Sequence, residues 1–304
     1  MAARNLEAAS KCKETIIKGY PSATIDVMEL DVSSLESVTK FANELHFQGC
    51  NAGVMAPPFS LSKDGIESQF ATNYLGHFHL TNLLLDTMKH TARSCGQEGR
   101  IVLVSSVVHR LTYKEGIMFD KLNEKSYNSY YAYGQSKLAN ILHAKELARR
   151  LKEEGAGITI NALHPEVIAT NLSRHSNFMS GCLIWSLQTL SKEYHRFREL
   201  QQLCYLALNP KVKGVSGEYF ADNNVYKPSD KANDAELAKK TMGIRNGIDQ
   251  VKVMFMGVDT DTLHVLLFYS CEYGGLIVYV LFVHDNLKPG CGVMCFVPLV
   301  IRNE

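Results

Sequence analysis

RIVLVSS (100–106), YAYGQSKLANILHAKELARRLKEE (131–154) and ITINALH (158–164) follow one another in the chain and decide its architecture. The first and third are short apolar runs of strand length, closed by Ser105-Ser106 and by Pro165. The middle one is long and rich in Ala and Leu, as a helix requires. Strand, long helix and strand in succession predict a parallel sheet with the helix on its face. Working outward, ATIDVMELDV (23–32) reads as another strand. Ser33-Ser34-Leu35-Glu36 has the spacing of a capping box and predicts a helix from there to His46. Residues 64–90 form a long helical pattern, with Phe70, Tyr74, Phe78, Leu84 and Met88 near one face. Residues 170–192 read as loop, 193–208 as helix and 217–221 as a last short strand. The fold class expected is α/β, a doubly wound parallel sheet.

Composition narrows the function. The chain has 304 residues, 46% of them hydrophobic and 21% charged, which is enough apolar material for a sizeable core. Its 32 basic and 31 acidic residues leave a net charge of +1, so no nucleic-acid partner is expected. The eight cysteines include no CxxC pair, which argues against a zinc ribbon and fits an intracellular, reducing compartment. The N-terminus has no apolar run of the secretory kind. Residues 265–283 are the one stretch long enough to cross a bilayer. Glu272 and Gly274-Gly275 lie inside it, and a mid-membrane acid costs about 2.5–3.5 kcal/mol. Membrane association therefore rests on this tail alone.

Parallel α/β sheets bind ligands at the carboxyl ends of their strands. The polar or turn-forming residues expected there are Asp31, Asn51-Ala52-Gly53, Ser105-Ser106 and the segment from Pro165 to Thr170. Tyr133 and Lys137 are four apart and share a helix face. An ammonium beside a phenol favours the phenolate, the requirement for a general acid/base at a carbinol oxygen. The pair alone discriminates poorly, since chance supplies about one such match in a chain of this composition.

The ordered set is specific: LDVSS (30–34), CNAGVM (50–55), FATNYLGHF (70–78), RIVLVSSVVH (100–109), YGQSK (133–137) and HPEVIATNL (164–172). It resembles the short-chain dehydrogenase/reductase family over about residues 1–240. Within that family it is most similar to the retinol-dehydrogenase-type branch and to plant members associated with the chloroplast inner-envelope protein translocon. The resemblance implies a Rossmann-like fold. It also implies NADP(H)-dependent hydride transfer between an alcohol and a carbonyl, on a small hydrophobic substrate. It assigns Tyr133 as acid/base and Lys137 as its partner and nicotinamide-ribose ligand. Ser106, rather than Ser105, is the serine that polarises the carbonyl, and Asn73 holds a proton-relay water. For the cofactor it implies Asp31 at the adenine, the Asn51-Ala52-Gly53 turn beneath, and Pro165, Val167 and Thr170 at the carboxamide. Arg4 stands where this branch sets an arginine against the 2′-phosphate, which favours NADP(H) over NAD(H). A homodimer through the two long helices, and a location in the chloroplast inner envelope or the cytoplasm, come from the same resemblance. Residues 171–200 are expected as a lid, with Phe178, Met179, Leu183, Ile184 and Trp185 as its apolar lining.

Four departures stand beside the match. No glycine-rich TGxxxGxG turn occurs, and the strand ahead of it is missing with it. The segment 45–50 is short for a strand, and Cys50 replaces an asparagine. Glu166 replaces a glycine after Pro165. Residues 241–304 do not resemble the family and are expected as a poorly ordered apolar tail behind an incomplete domain spanning 1–240. These departures predict impaired activity. The alternative reading is a non-catalytic variant acting as a binding or partner subunit, or a defective isoform.

Overall fold

A computed structural model describes residues 2–19, 21, 25–44, 54–119, 126–165 and 201–243, together with the backbone of three strands between 267 and 301. The unit predicted first is present. Strand β3 (Gly99–Val104) pairs in parallel with β4 (Ile158–Leu163) over six residues, from Gly99 opposite Ile158 to Val104 opposite Leu163. Helix α5 (Ser129–Glu153) connects them. Asn128 starts it by accepting from the amides of Tyr130 and Tyr131, both at 3.1 Å. β5 (Tyr219–Ala221) joins β4 in parallel, and β6 (Asn224–Val225) closes the edge antiparallel. Asp222 and Asn223, both at positive φ, make the two-residue turn between β5 and β6.

The other sheet is small. β1 (Ala2–Ala3) pairs in parallel with β2 (Met28–Glu29), with α1 (Leu6–Gly19) between them. The strand expected over 23–32 is thus only two residues long, because β1 offers a two-residue ladder. No described strand hydrogen-bonds the two sheets to each other. They are linked by α4 (Gly76–Cys95), whose Leu80, Leu83 and Leu84 pack with Ala2, Leu30, Val38 and Phe41. Tyr74, Phe78 and Met88 from the same helical stretch join the core of α5 and β3–β4. Gly76 makes this joint: a Cβ there would lie 2.1 Å from the Val32 carbonyl oxygen. Gly96 ends α4 in the left-handed conformation, at φ 64°.

Two expectations are corrected. The helix expected over 64–90 starts at Ser68 and is interrupted: α3 (Ser68–Phe70) leads into a π turn (Ala71–Leu75) before α4. Glu67 caps α3 with both carboxylate oxygens, so the helix starts behind it and not at Asp64. The capping box at 33–36 does not form at the head of α2 (Leu35–Glu44). Ser33 turns to Asp31 instead. Ser34 Oγ accepts from the Ser37 amide at 3.4 Å, and Asp64 accepts from the Leu35 amide at 3.0 Å. A carboxylate 29 residues away thus completes the cap.

Beyond α6 (Ala235–Met242), where no regular element is expected, β7 (Leu267–Ser270), β8 (Leu276–Val280) and β9 (Val297–Ile301) form an antiparallel meander. Within the apolar stretch 265–283, residues 267–270 and 276–280 are accordingly two paired strands. Among the described residues no helix is long and apolar enough to cross a membrane.

Candidate active site

Four side chains of α5 share one face: Tyr133, Ser136, Lys137 and Asn140, spaced three, one and three. That face meets the carboxyl end of β3. Lys137 Nζ donates to the Val104 carbonyl at 3.1 Å and lies 5.6 Å from the centre of the Tyr133 ring. Asn140 Nδ2 donates to the same carbonyl at 3.2 Å and to the Asn73 carbonyl at 3.1 Å. Ser136 Oγ donates to the Tyr133 carbonyl at 2.7 Å and accepts from Asn73 Nδ2 at 3.0 Å. Tyr133, Lys137 and Asn73 are all buried. An ammonium so enclosed is held by its partners, since burial without them would be costly.

The π turn places Asn73, and such turns recur where a helix must present a group off its regular ladder. Its side chain is used three times. Besides Ser136, Nδ2 donates to the Val54 carbonyl at 2.8 Å, and Oδ1 accepts from the Val54 amide at 2.7 Å. Asn73 therefore clamps the chain at Val54, directly after the Asn51-Ala52-Gly53 segment, which lies outside the described residues. One turn earlier, Gln69 does the same for the next residues. Its Oε1 accepts from the Ala56 amide at 2.8 Å, and its Nε2 donates to Tyr127 Oη and the Ser129 carbonyl. Ala56 is held at φ 51°, a conformation that non-glycine residues rarely adopt.

The two serines after β3 have different employment. Ser105 Oγ donates to the Lys137 carbonyl at 2.8 Å, which staples β3 to α5. Ser106 caps a short 3₁₀ turn (Val107–Arg110), its Oγ accepting from the Val108 amide at 3.2 Å. That leaves the Ser106 O–H to donate elsewhere. Gly134 brings the turn and α5 together. A Cβ on it would stand 1.8 Å from the Leu111 carbonyl oxygen and 2.8 Å from that of Val108.

At the ends of the small sheet, Arg4 follows β1 and Asp31 follows β2 closely. The Leu30 amide donates to the Ala3 carbonyl at 3.1 Å, which holds the two strand exits side by side. Burial works to raise the Asp31 pKa, but hydrogen bonds from the Ser33 amide and hydroxyl, with the charges of Lys63 and Arg4, hold it below the ordinary carboxylate value. Lys63 Nζ lies 3.7 Å from Asp31 Oδ2.

The structure thus gathers Tyr133, Lys137, Ser106 and Asn73 around the end of β3, and sets Arg4 and Asp31 together at the other sheet. Pro165 follows β4 at half-buried depth, after His164. Burial pushes the His164 imidazole down to about 4, with Asp222 opposing and Lys137 assisting. Asn51, Ala52, Gly53, Glu166, Val167, Thr170 and the expected lid lie outside the described residues. Ser136, Asn140 and Gln69 were not singled out from sequence. Helical spacing was the available signal: Ser136 and Asn140 repeat the Tyr133 face, and Gln69 precedes Asn73 by four.

The family model described as enoyl-(acyl carrier protein) reductase matches residues 2–223. The chloroplastic short-chain dehydrogenase TIC 32 B of Brassica napus is 51% identical over 252 residues, covering 79% of this chain and 77% of that protein. Human retinol dehydrogenase 14 is 40% identical over 257 residues, covering 79% and 71%. Among solved structures, an uncharacterised protein from Mycobacterium paratuberculosis superposes with a TM-score of 0.58 at 29% identity, covering 84% of this chain and 85% of that one.

Proposed function

The chain belongs to the short-chain dehydrogenase/reductase family, and on that premise we propose that it is an NADP(H)-dependent oxidoreductase interconverting a small hydrophobic carbonyl compound and its alcohol. The observation that carries this reading is the buried Tyr133–Lys137 pair, tied through Val104, Asn140 and Asn73 to the end of β3. The donor set fits a nicotinamide nucleotide at both ends. Lys137 sets an ammonium, a donor to the ribose diol, beside the tyrosine. Arg4 sets a guanidinium at a strand exit, where a 2′-phosphate would meet a fork of donors. When bound, the nicotinamide supplies or takes the hydride.

The remaining work falls to the chain's own residues. In the reductive direction Ser106 donates its hydroxyl hydrogen to the substrate oxygen, and Tyr133 Oη gives the proton. The Lys137 ammonium stabilises the negative charge left on that phenol oxygen. The Asn73 carbonyl and Asn140 mark the path by which the proton is replaced. The similarity to a chloroplastic relative supports a chloroplast location.

Nicotinamide fluorescence on the purified chain tests this. NADPH is expected to bind more tightly than NADH, and Arg4→Ala to abolish the preference. Tyr133→Phe should keep NADPH binding and lose roughly 10²–10⁴-fold in turnover of a hydrophobic aldehyde panel. Folded protein that binds neither nucleotide would overturn the proposal and leave a non-catalytic binding role.

A further inference from the structure

We propose that His109 is the positioning residue for Ser106, holding the serine through its main-chain carbonyl. The inference rests on the reading of Ser106 given above. His109 lies within the turn that Ser106 caps; its own amide donates to the Ser106 carbonyl at 3.1 Å, and its ring, which is buried, adds a second bond to that oxygen. Nδ1 lies 2.6 Å from the Ser106 carbonyl oxygen, and Nε2 lies 3.0 Å from the Ser229 amide nitrogen. A carbonyl can only accept and a main-chain amide can only donate. One assignment satisfies both: a neutral imidazole carrying its proton on Nδ1. The ring also packs edge-on against Tyr219 of β5, with centroids 5.0 Å apart.

His109 is therefore fixed from three sides. β5 fixes its plane, the Ser229 amide fixes its outer nitrogen, and the remaining N–H grips Ser106. The Val108 amide engages Oγ of the same serine. Carbonyl and hydroxyl are thus held by separate bonds, which sets the direction of the Ser106 side chain at the end of β3. An imidazole is the one neutral side chain with a donor and an acceptor on opposite edges of a rigid ring, as this bridge requires.

The two halves of the bridge can be removed separately in the full chain. In His109→Asn, Nδ2 stands near the former Nδ1 and keeps the bond to Ser106, while the Ser229 bond is lost. In His109→Gln, Oε1 reaches toward Ser229, while the side-chain bond to Ser106 is lost and the main-chain bond to its carbonyl stays. The readouts are kcat and KM for NADPH-dependent reduction of a hydrophobic aldehyde, the NADPH Kd and the urea midpoint, with Ser106→Ala alongside. Both variants should lower the midpoint alike and leave the NADPH Kd unchanged. His109→Asn should keep kcat within about threefold, while His109→Gln falls toward Ser106→Ala, about 10²-fold, the scale of an ångström's misplacement at a reacting centre. Equal kcat losses in the two variants, or losses that follow the urea midpoint, would overturn the proposal.

Nitrogen NMR of the wild-type imidazole needs neither activity nor a folded variant. A protonated Nδ1 with an unprotonated Nε2 supports the bridge; the opposite tautomer overturns it. If Ser106→Ala leaves kcat untouched, the functional reading of Ser106 has failed, whereas the tautomer still reports on the bridge.

Discussion

The two sheets are built to different standards. β3 and β4 share six paired residues, and α5 between them is buried along most of its length. β1 and β2 share two paired residues, and the helix between them buries only Ala9, Cys12 and Ile16. The side chains follow suit. Beside Tyr133, Ser136, Lys137, Asn140 and Asn73 each hydrogen-bond to main chain or to a buried side chain. At Asp31 the charges of Lys63 and Arg4 act together, and Lys63, 3.7 Å away, is largely in solvent. Proton transfer needs donor and acceptor held to fractions of an ångström. A phosphate or a ribose can be gripped by a longer, better-solvated side chain.

The largest expected effect lies where this difference is enforced by backbone contact. Gly134→Ala must push α5 off the Ser106 turn, and Gly76→Ala must push α4 off Val32. Each is expected to cost about 3 kcal/mol or more by overpacking against backbone, read as a collapse of the urea midpoint. Gly19→Ala meets nothing within 4 Å and should leave the midpoint unchanged. A chain that tolerates Gly134→Ala would break the comparison.

Next come two buried histidines, His143 and His109, both on the catalytic side. Among the described residues His143 has no hydrogen-bond partner on either ring nitrogen; it lies edge-on to Tyr74 and Phe78 and is held down to about 3 by burial. Burial likewise holds His109 to about 4. Both folded values lie below the unfolded one, so the unfolded chain binds more protons in between. Stability is therefore full above about pH 6.5 and is lost as pH falls toward 4, by on the order of 3 kcal/mol for each ring. His143→Leu should flatten that acid slope and raise stability at neutral pH, because two unpaired buried nitrogens disappear. An unchanged slope in urea titrations between pH 7 and 4.5 would refute this.

The smallest effect is expected at Asp31. Its lowered pKa contributes stability above the ordinary carboxylate range, lost as pH falls through it. With Lys63 so exposed, Asp31→Asn should cost at most about 1 kcal/mol. Its effect on NADPH binding should exceed its effect on the urea midpoint.

Legibility followed the same division. The unit from β3 through α5 to β4 was readable because two short apolar runs flank one long Ala- and Leu-rich segment, and each is buried along most of its length. The short strands were over-read: ATIDVMELDV has strand composition, yet pairing depends on a partner, and β1 supplies two residues. The capping box failed because α2 starts at Leu35, which makes Ser34 the flanking residue, and Asp64, 29 residues on, takes the Leu35 amide, which no spacing rule weighs. In the site, Tyr133, Lys137, Ser106 and Asn73 could be named from motifs. Gln69, Ser136, Asn140 and His109 could not, because their partners lie far away in sequence.

By itself, then, the sequence determined the strand–helix–strand unit from β3 to β4 and which residue types stand at the strand exits. Periodicity and residue chemistry are local, and they survive in a bare string. The tertiary structure alone decided that Lys137 and Asn140 share the Val104 carbonyl, that the Ser105 O–H is spent on α5 while the Ser106 O–H is left to donate, and which nitrogen of His109 carries the proton. Those outcomes depend on which donors and acceptors meet when β3, α5 and the Ser229 segment pack. A hydrogen bond is settled by that meeting and by nothing in either partner alone.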